Sequence, residues 1–191
     1  MKIHLLLFGL MLILSGCGML QPVKDLSIHH VLEPLVPDRA LTASSPAIAV
    51  NRPSLPSYLD RLQLVTRAGG ELVLSDHHLW AEPLDAALAR VTASNLSRLT
   101  GSMNVQTVAS FTTLDYTNLL EIQVAQFEPD TANHMILQGT WKLQPVSGQE
   151  SHSHFFHIEV PIATTPDVMT GRVTAMNQAL ERLARQIVNK S

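Results

Sequence analysis

Three consecutive stretches of the chain alternate apolar and polar residues, and they constrain the fold more than any other feature. Leu120, Ile122 and Val124 alternate with Glu121 and Gln123. Met135, Leu137, Trp141 and Leu143 share one parity, and Gln138, Thr140, Lys142 and Gln144 the other. Phe156, Ile158, Val160 and Ile162 repeat the pattern. Side chains of a strand point alternately to its two faces, so each stretch reads as a strand with one wet face. Polar turns at 129–133 and 145–150 join them, which predicts an antiparallel meander. The chain then closes with an amphipathic helix. Thr165 is placed to cap it and Pro166 to start it, with Met176, Leu180, Leu183 and Ile187 forming one stripe opposite Arg172, Gln178, Glu181 and Arg185.

The first half supplies more of the same parts. Leu26 to Glu33 reads as a strand ended by Pro34 and Pro37, residues 38–46 as a polar loop, and Ala47 to Val50 as a short strand entering the proline-punctuated segment 51–56. Leu62 and Leu64, then Leu72 and Leu74, flank Ala68-Gly69-Gly70 as a hairpin flanks its turn. A helix is expected from Pro83, with Leu84, Leu88, Val91 and Leu99 on one face, Thr92 and Asn95 as weak points, and Gly101 as its stop. The expected class is α+β: an antiparallel sheet with two helices packed on one face.

The N-terminus is of a different kind. Lys2 precedes an unbroken apolar run from Leu5 to Leu14, followed by Leu14-Ser15-Gly16-Cys17. About ten apolar residues suit a signal-peptide core and fall short of the roughly 20 that span a bilayer. The pattern resembles the lipobox of bacterial lipoproteins, which implies cleavage after residue 16 and acylation of Cys17. Residues 1–16 are then a lipoprotein signal peptide, 17–25 an acylated tether and 26–191 a single domain. Two or more acyl chains anchor stably where one does not. Gly18 stands where an Asp retains enteric lipoproteins at the inner membrane, so the likeness implies the outer membrane.

Composition narrows the function. Loss of Lys2 leaves 12 basic against 16 acidic residues, a net charge of −4, with no footprint for nucleic acid or for anionic headgroups. The single cysteine leaves no thiol for a disulfide once it is acylated. Of the nine histidines, His152, His154 and His157 lie close together, with His29-His30 and His77-His78 elsewhere. On a strand His152 and His154 would face one way and His157 the other, so they read as a solvated strand edge; no metal site is assigned. No Gly-x-Ser-x-Gly elbow, Ser-x-x-Lys, phosphate loop or dinucleotide fingerprint is present. No catalytic residue and no cofactor is expected beyond the lipid on Cys17.

Two motifs stand out: Tyr58-Leu59-Asp60-Arg61 after Pro56, and Trp80-Ala81-Glu82-Pro83-Leu84. In these, and in spacing from about Leu26 to the last helix, the chain resembles the ABC-type transport auxiliary lipoproteins, the PqiC (YmbA-like) family. His29-His30 departs from a place that is often Tyr-rich. The motif residues read as structural first, with a direct partner contact as the alternative. Tyr58 and Trp80 are amphipathic anchors, Asp60 could satisfy backbone N–H groups at a strand start, and Pro83 sets the helix entry. The resemblance implies a non-catalytic, periplasm-facing subunit on the outer membrane. It would form a homo-oligomeric ring and dock the mammalian-cell-entry (MCE) tunnel protein of a Pqi-type system, with phospholipid as cargo. A free-standing lipoprotein that assembles an envelope component is the alternative.

Overall fold

The computed structural model describes residues 24–42, 46–109, 116–164 and 167–190. The signal peptide, Cys17, Gly18, and the Thr165 and Pro166 helix start lie outside these residues. The elements in chain order are β1 (Ile28–His30), β2 (Ile48–Val50), β3 (Gln63–Ala68), β4 (Glu71–Trp80), α1 (Leu84–Thr100), β5 (Val105–Thr107), β6 (Asn118–Pro129), β7 (His134–Pro145), β8 (Ser153–Pro161) and α2 (Val168–Lys190). The class is α+β, with both expected helices present.

The strands form two sheets, one of five strands in the order β5-β2-β6-β7-β8 and one of three in the order β1-β4-β3. The β6-β7-β8 meander is antiparallel as its alternation predicts. The pairings around it are a difference from the expected sheet, which is mixed: β2 runs parallel to both β5 and β6, and β1 parallel to β4. Leu120, Ile122, Val124, Leu137, Trp141, Phe156, Ile158 and Val160 are buried, and they share one core with Leu88, Leu96, Leu180, Leu183 and Ile187 of the helices. The proline-rich segment after β2 continues beside β6, where Asn51 N donates to Leu120 O (3.0 Å) and Ser54 N to Ile122 O (3.0 Å). Pro53 has no N–H for such a ladder, which keeps this edge irregular.

Residues after β1 do not continue as a strand to Glu33. They cross the two helices, held by side chains rather than a ladder. Asn177 Oδ1 accepts from Glu33 N (3.0 Å) and Asn95 Oδ1 from Val36 N (3.3 Å), while Arg90 donates to Leu32 O (2.9 Å) and Arg98 to Val36 O (2.7 Å). Asn95 is fully buried, so a residue weak in helix propensity is kept for this bond. Helix α1 ends as expected, with Gly101 left-handed at φ 73° and its N–H bonded to Ser97 O (2.8 Å).

The hairpin forms at Gly69-Gly70, but its burial is not the expected one. Leu64 is buried, whereas Leu62, Leu72, Val73 and Leu74 are exposed.

Candidate functional site

The first motif is built around a residue outside it. Glu128, near the end of β6, is fully buried. Its Oε1 accepts from Arg67 Nε (2.9 Å) and from Arg67 NH2 (2.8 Å). Its Oε2 accepts from Tyr58 Oη (3.0 Å) and from the Phe127 backbone N–H (3.0 Å). The Tyr58 hydroxyl also lies 3.3 Å from Ala125 O, but it has one proton, and the shorter contact takes it. The Arg67 guanidinium sits 5.7 Å from the Tyr58 ring centroid, within cation–π range. Burial and the adjacent Glu128 charge push the Tyr58 phenol up to about 12.

A register shift in β6 between Val124 and Gln126 explains why this carboxylate is inside. The extra residue changes the phase of the alternation, so Phe127, Glu128 and Pro129 are all buried at the end of β6. Sequence reading singled out Tyr58 but missed Arg67 and Glu128. A bulge has no signature in an alternating run, although the charge between Phe127 and Pro129 marks the place.

The remaining motif residues divide by burial. Leu59, Trp80 and Leu84 are in the core and join the hairpin to the main sheet. Trp80 N donates to Leu62 O (2.6 Å), Glu82 pairs with Arg90, and Pro83 occupies the N-cap position, its carbonyl accepting from Ala87 N (3.0 Å). Asp60 is exposed and bonds no backbone N–H among the described residues, contrary to the role expected for it. Arg61 has a buried Nε with no acceptor. The motifs thus frame a joint between the hairpin, β6 and α1.

At that joint Leu59, Leu64, Trp80, Met135, Met176 and Arg172 border a void of about 10 Å³, room for one water at most. Arg172 was expected on the wet face of the last helix; it is half-buried instead. Gly171 brings it there, because a Cβ at that position would lie 1.8 Å from Ala163 O, so only glycine lets this turn of α2 press on the chain leaving β8. One guanidinium nitrogen of Arg172 donates to Thr66 Oγ1 (3.0 Å) and lies 3.2 Å from Met169 Sδ, while its buried Nε–H has no acceptor. Burial alone lowers its pKa; no carboxylate pairs with it among the described residues. An unmet buried donor costs about 1–3 kcal/mol, more when it is charged.

The histidines are distributed as single contacts. His30 Nε2 and His78 Nδ1 are 2.8 Å apart with stacked rings, and burial, then His78, lowers the pKa of His30. His154 stacks on Trp141 with centroids 4.3 Å apart, and His157 bonds Gln138 (3.0 Å) and Glu159 (2.8 Å). Among the described residues no group of three or more His, Cys, Asp or Glu side chains is placed to hold a metal.

Comparison with known proteins agrees with the fold. Residues 30–188 match the family model of the ABC-type transport auxiliary lipoprotein component. A crystal structure of an uncharacterized protein is 22% identical with a TM-score of 0.67, covering 85% of this chain and 96% of that one. A protein from Xanthomonas campestris is 22% identical with a TM-score of 0.66, covering 84% and 92%. The PelC L103M dodecamer from Paraburkholderia phytofirmans is 13% identical with a TM-score of 0.43, covering 76% and 92%. No curated protein matches the chain.

Proposed function

The chain belongs to the ABC-type transport auxiliary lipoprotein component family, and from that premise we propose that it is a non-catalytic docking subunit of an MCE-type, Pqi-like phospholipid transport system. It is held by acyl chains on Cys17 to the periplasmic face of the outer membrane, and copies assemble into a homo-oligomeric ring that receives the far end of the tunnel protein. The match over residues 30–188 carries this reading, because it spans nearly all of the described domain. The motif geometry supports it. Tyr58, Leu59, Trp80 and Leu84 fix a joint between sheet, hairpin and helix, which is the work of a rigid scaffold. An acyl anchor confines such a scaffold to one membrane and raises its effective concentration where the tunnel must dock.

The test is a pull-down of the full protein from envelope extracts. Recovery of an MCE-domain protein is the expected result. Recovery of only outer-membrane barrel or secretin subunits would contradict it and favour an assembly role.

A further inference from the structure

The N-terminal segment leaves the fold beside the β3–β4 hairpin. β1 runs parallel to β4, with Ile28 opposite His78 and His30 opposite Trp80. Going back from Ile28 toward the N-terminus is therefore going back along β4 toward the Gly69-Gly70 turn. Asp25 fits this direction: its Oδ1 accepts from Ser27 N (2.9 Å), and its carboxylate lies within electrostatic reach of His77 on β4. Five apolar side chains are exposed along this path, Leu26, Ile28, Leu72, Val73 and Leu74, each between 39% and 56%. Single exposed apolar residues are ordinary on any surface, but three in succession on one strand form a patch. Successive strand residues point to opposite faces, so the hairpin is apolar on both. A protein partner covers one face of a hairpin, whereas a lipid interface surrounds its end.

We propose that this end of the domain, Leu26 and Ile28 with the β3–β4 hairpin, rests in the headgroup region of the bilayer that holds the acyl chains. The inference deepens the proposed anchoring at Cys17 and rests on it. Seven peptide steps separate Cys17 from Lys24, where the described residues begin. Fully extended, they span at most about 25 Å, so the anchor holds the apolar end of the domain nearest the bilayer. The acidic balance of the chain gives no pull toward anionic headgroups, which makes the contact an apolar one. Glu71 and Asp76 are exposed on the same strand and keep the hairpin at headgroup level, since a charge in the hydrocarbon is costly. Arg67 grips Glu128 at the hairpin end of β6, and Val146 N donates to Thr117 O (2.9 Å) at the other end. β6 has 12 residues, which sets these ends about 35 Å apart. The Val146 end then faces away from the membrane.

The experiment uses the full acylated protein in vesicles of phosphatidylcholine and phosphatidylethanolamine whose chains are brominated near the headgroups. The chain's two tryptophans, Trp80 and Trp141, are buried and give a constant background. Val73→Trp and Leu26→Trp each put a ring at the proposed contact, and Val146→Trp puts one at the far end, where Val146 is 61% exposed. We expect the emission added at 73 and at 26 to shift to the blue and to be lost to bromine quenching. The emission added at 146 should do neither. In protein that floats with the vesicles, quenching absent at 73 or at 26, or equal at all three positions, overturns the contact and leaves the anchor standing. A blue shift at 73 without quenching assigns the hairpin to a protein partner or a second copy, and overturns the contact as well. Wild-type protein that carries no acyl chain by mass spectrometry would overturn the anchor and this inference together.

Discussion

Two arginines meet strand β3 at neighbouring residues, and they meet opposite fates. Arg67, on the strand itself, places two of its nitrogens on the fully buried Glu128, which also accepts from Tyr58 and Phe127. Arg172 reaches Thr66, one residue earlier, and among the described residues finds a hydroxyl and a thioether but no carboxylate. Adjacent strand residues point to opposite faces, so β3 sends one contact toward β6 and the other toward α2. The first cluster meets the buried carboxylate in full, with each Glu128 oxygen accepting two hydrogen bonds. The second leaves a buried Nε–H without an acceptor among the described residues, and the fold tolerates its cost.

That contrast makes predictions that can break it, the largest first. Arg67→Ala leaves a fully buried carboxylate without its counterion and should destabilise the protein by about 3 kcal/mol in denaturant unfolding. An unchanged midpoint would mean that Glu128 is not the keystone described. Gly171→Ala forces a methyl group against Ala163 O and should cost about 1–3 kcal/mol, with Arg172 moved from its seat. Should the variant be as stable as wild type, the close approach of α2 does not set Arg172. Tyr58→Phe removes one bond to a charged acceptor and should cost about 1.5 kcal/mol near neutral pH. Its pH dependence is a separate check. The Tyr58 pKa is raised from 10.0 to about 12, so the folded state keeps a proton that the unfolded state loses. This contribution is whole below pH 10 and disappears as pH rises through about 12. Subtracting the Tyr58→Phe profile from the wild type should reveal that fall; parallel profiles would show Tyr58 titrating freely. Arg172→Met should have the smallest effect, near zero or slightly stabilising, because it exchanges an unmet buried donor for an apolar side chain of similar length. A loss comparable to that of Arg67→Ala would show that Arg172 holds the fold and the two clusters do not differ.

The same contrast runs through what the residues alone disclose. The meander was legible because β6, β7 and β8 are long enough for a period of two to stand out and because one face is covered by helices. The Gly69-Gly70 turn and the Gly101 stop were legible because only glycine adopts those conformations easily. β1 and β2 were expected as strands, but β5 was not, and the parallel partners of all three lie far away in sequence, so no local pattern reveals the pairings. Leu62, Leu72 and Leu74 alternate as buried residues do, yet each is exposed; alternation reports a face, not what covers it. At the site, Tyr58, Leu59, Trp80 and Leu84 were found through the family likeness, and their burial gives a physical reason for them. Glu128 was hidden by the bulge at Ala125. Arg172 was hidden by its place on a polar stripe, from which Gly171 draws it inward.

The most direct measurement is the pair of arginine Nε–H resonances, assigned with Arg67→Lys and Arg172→Lys and followed by proton–nitrogen NMR as they exchange with solvent. The Arg67 Nε–H, locked on the buried Glu128, is expected to exchange more slowly than the Arg172 Nε–H, which has no acceptor among the described residues. Equal rates, or the reverse order, would contradict the contrast between the two clusters.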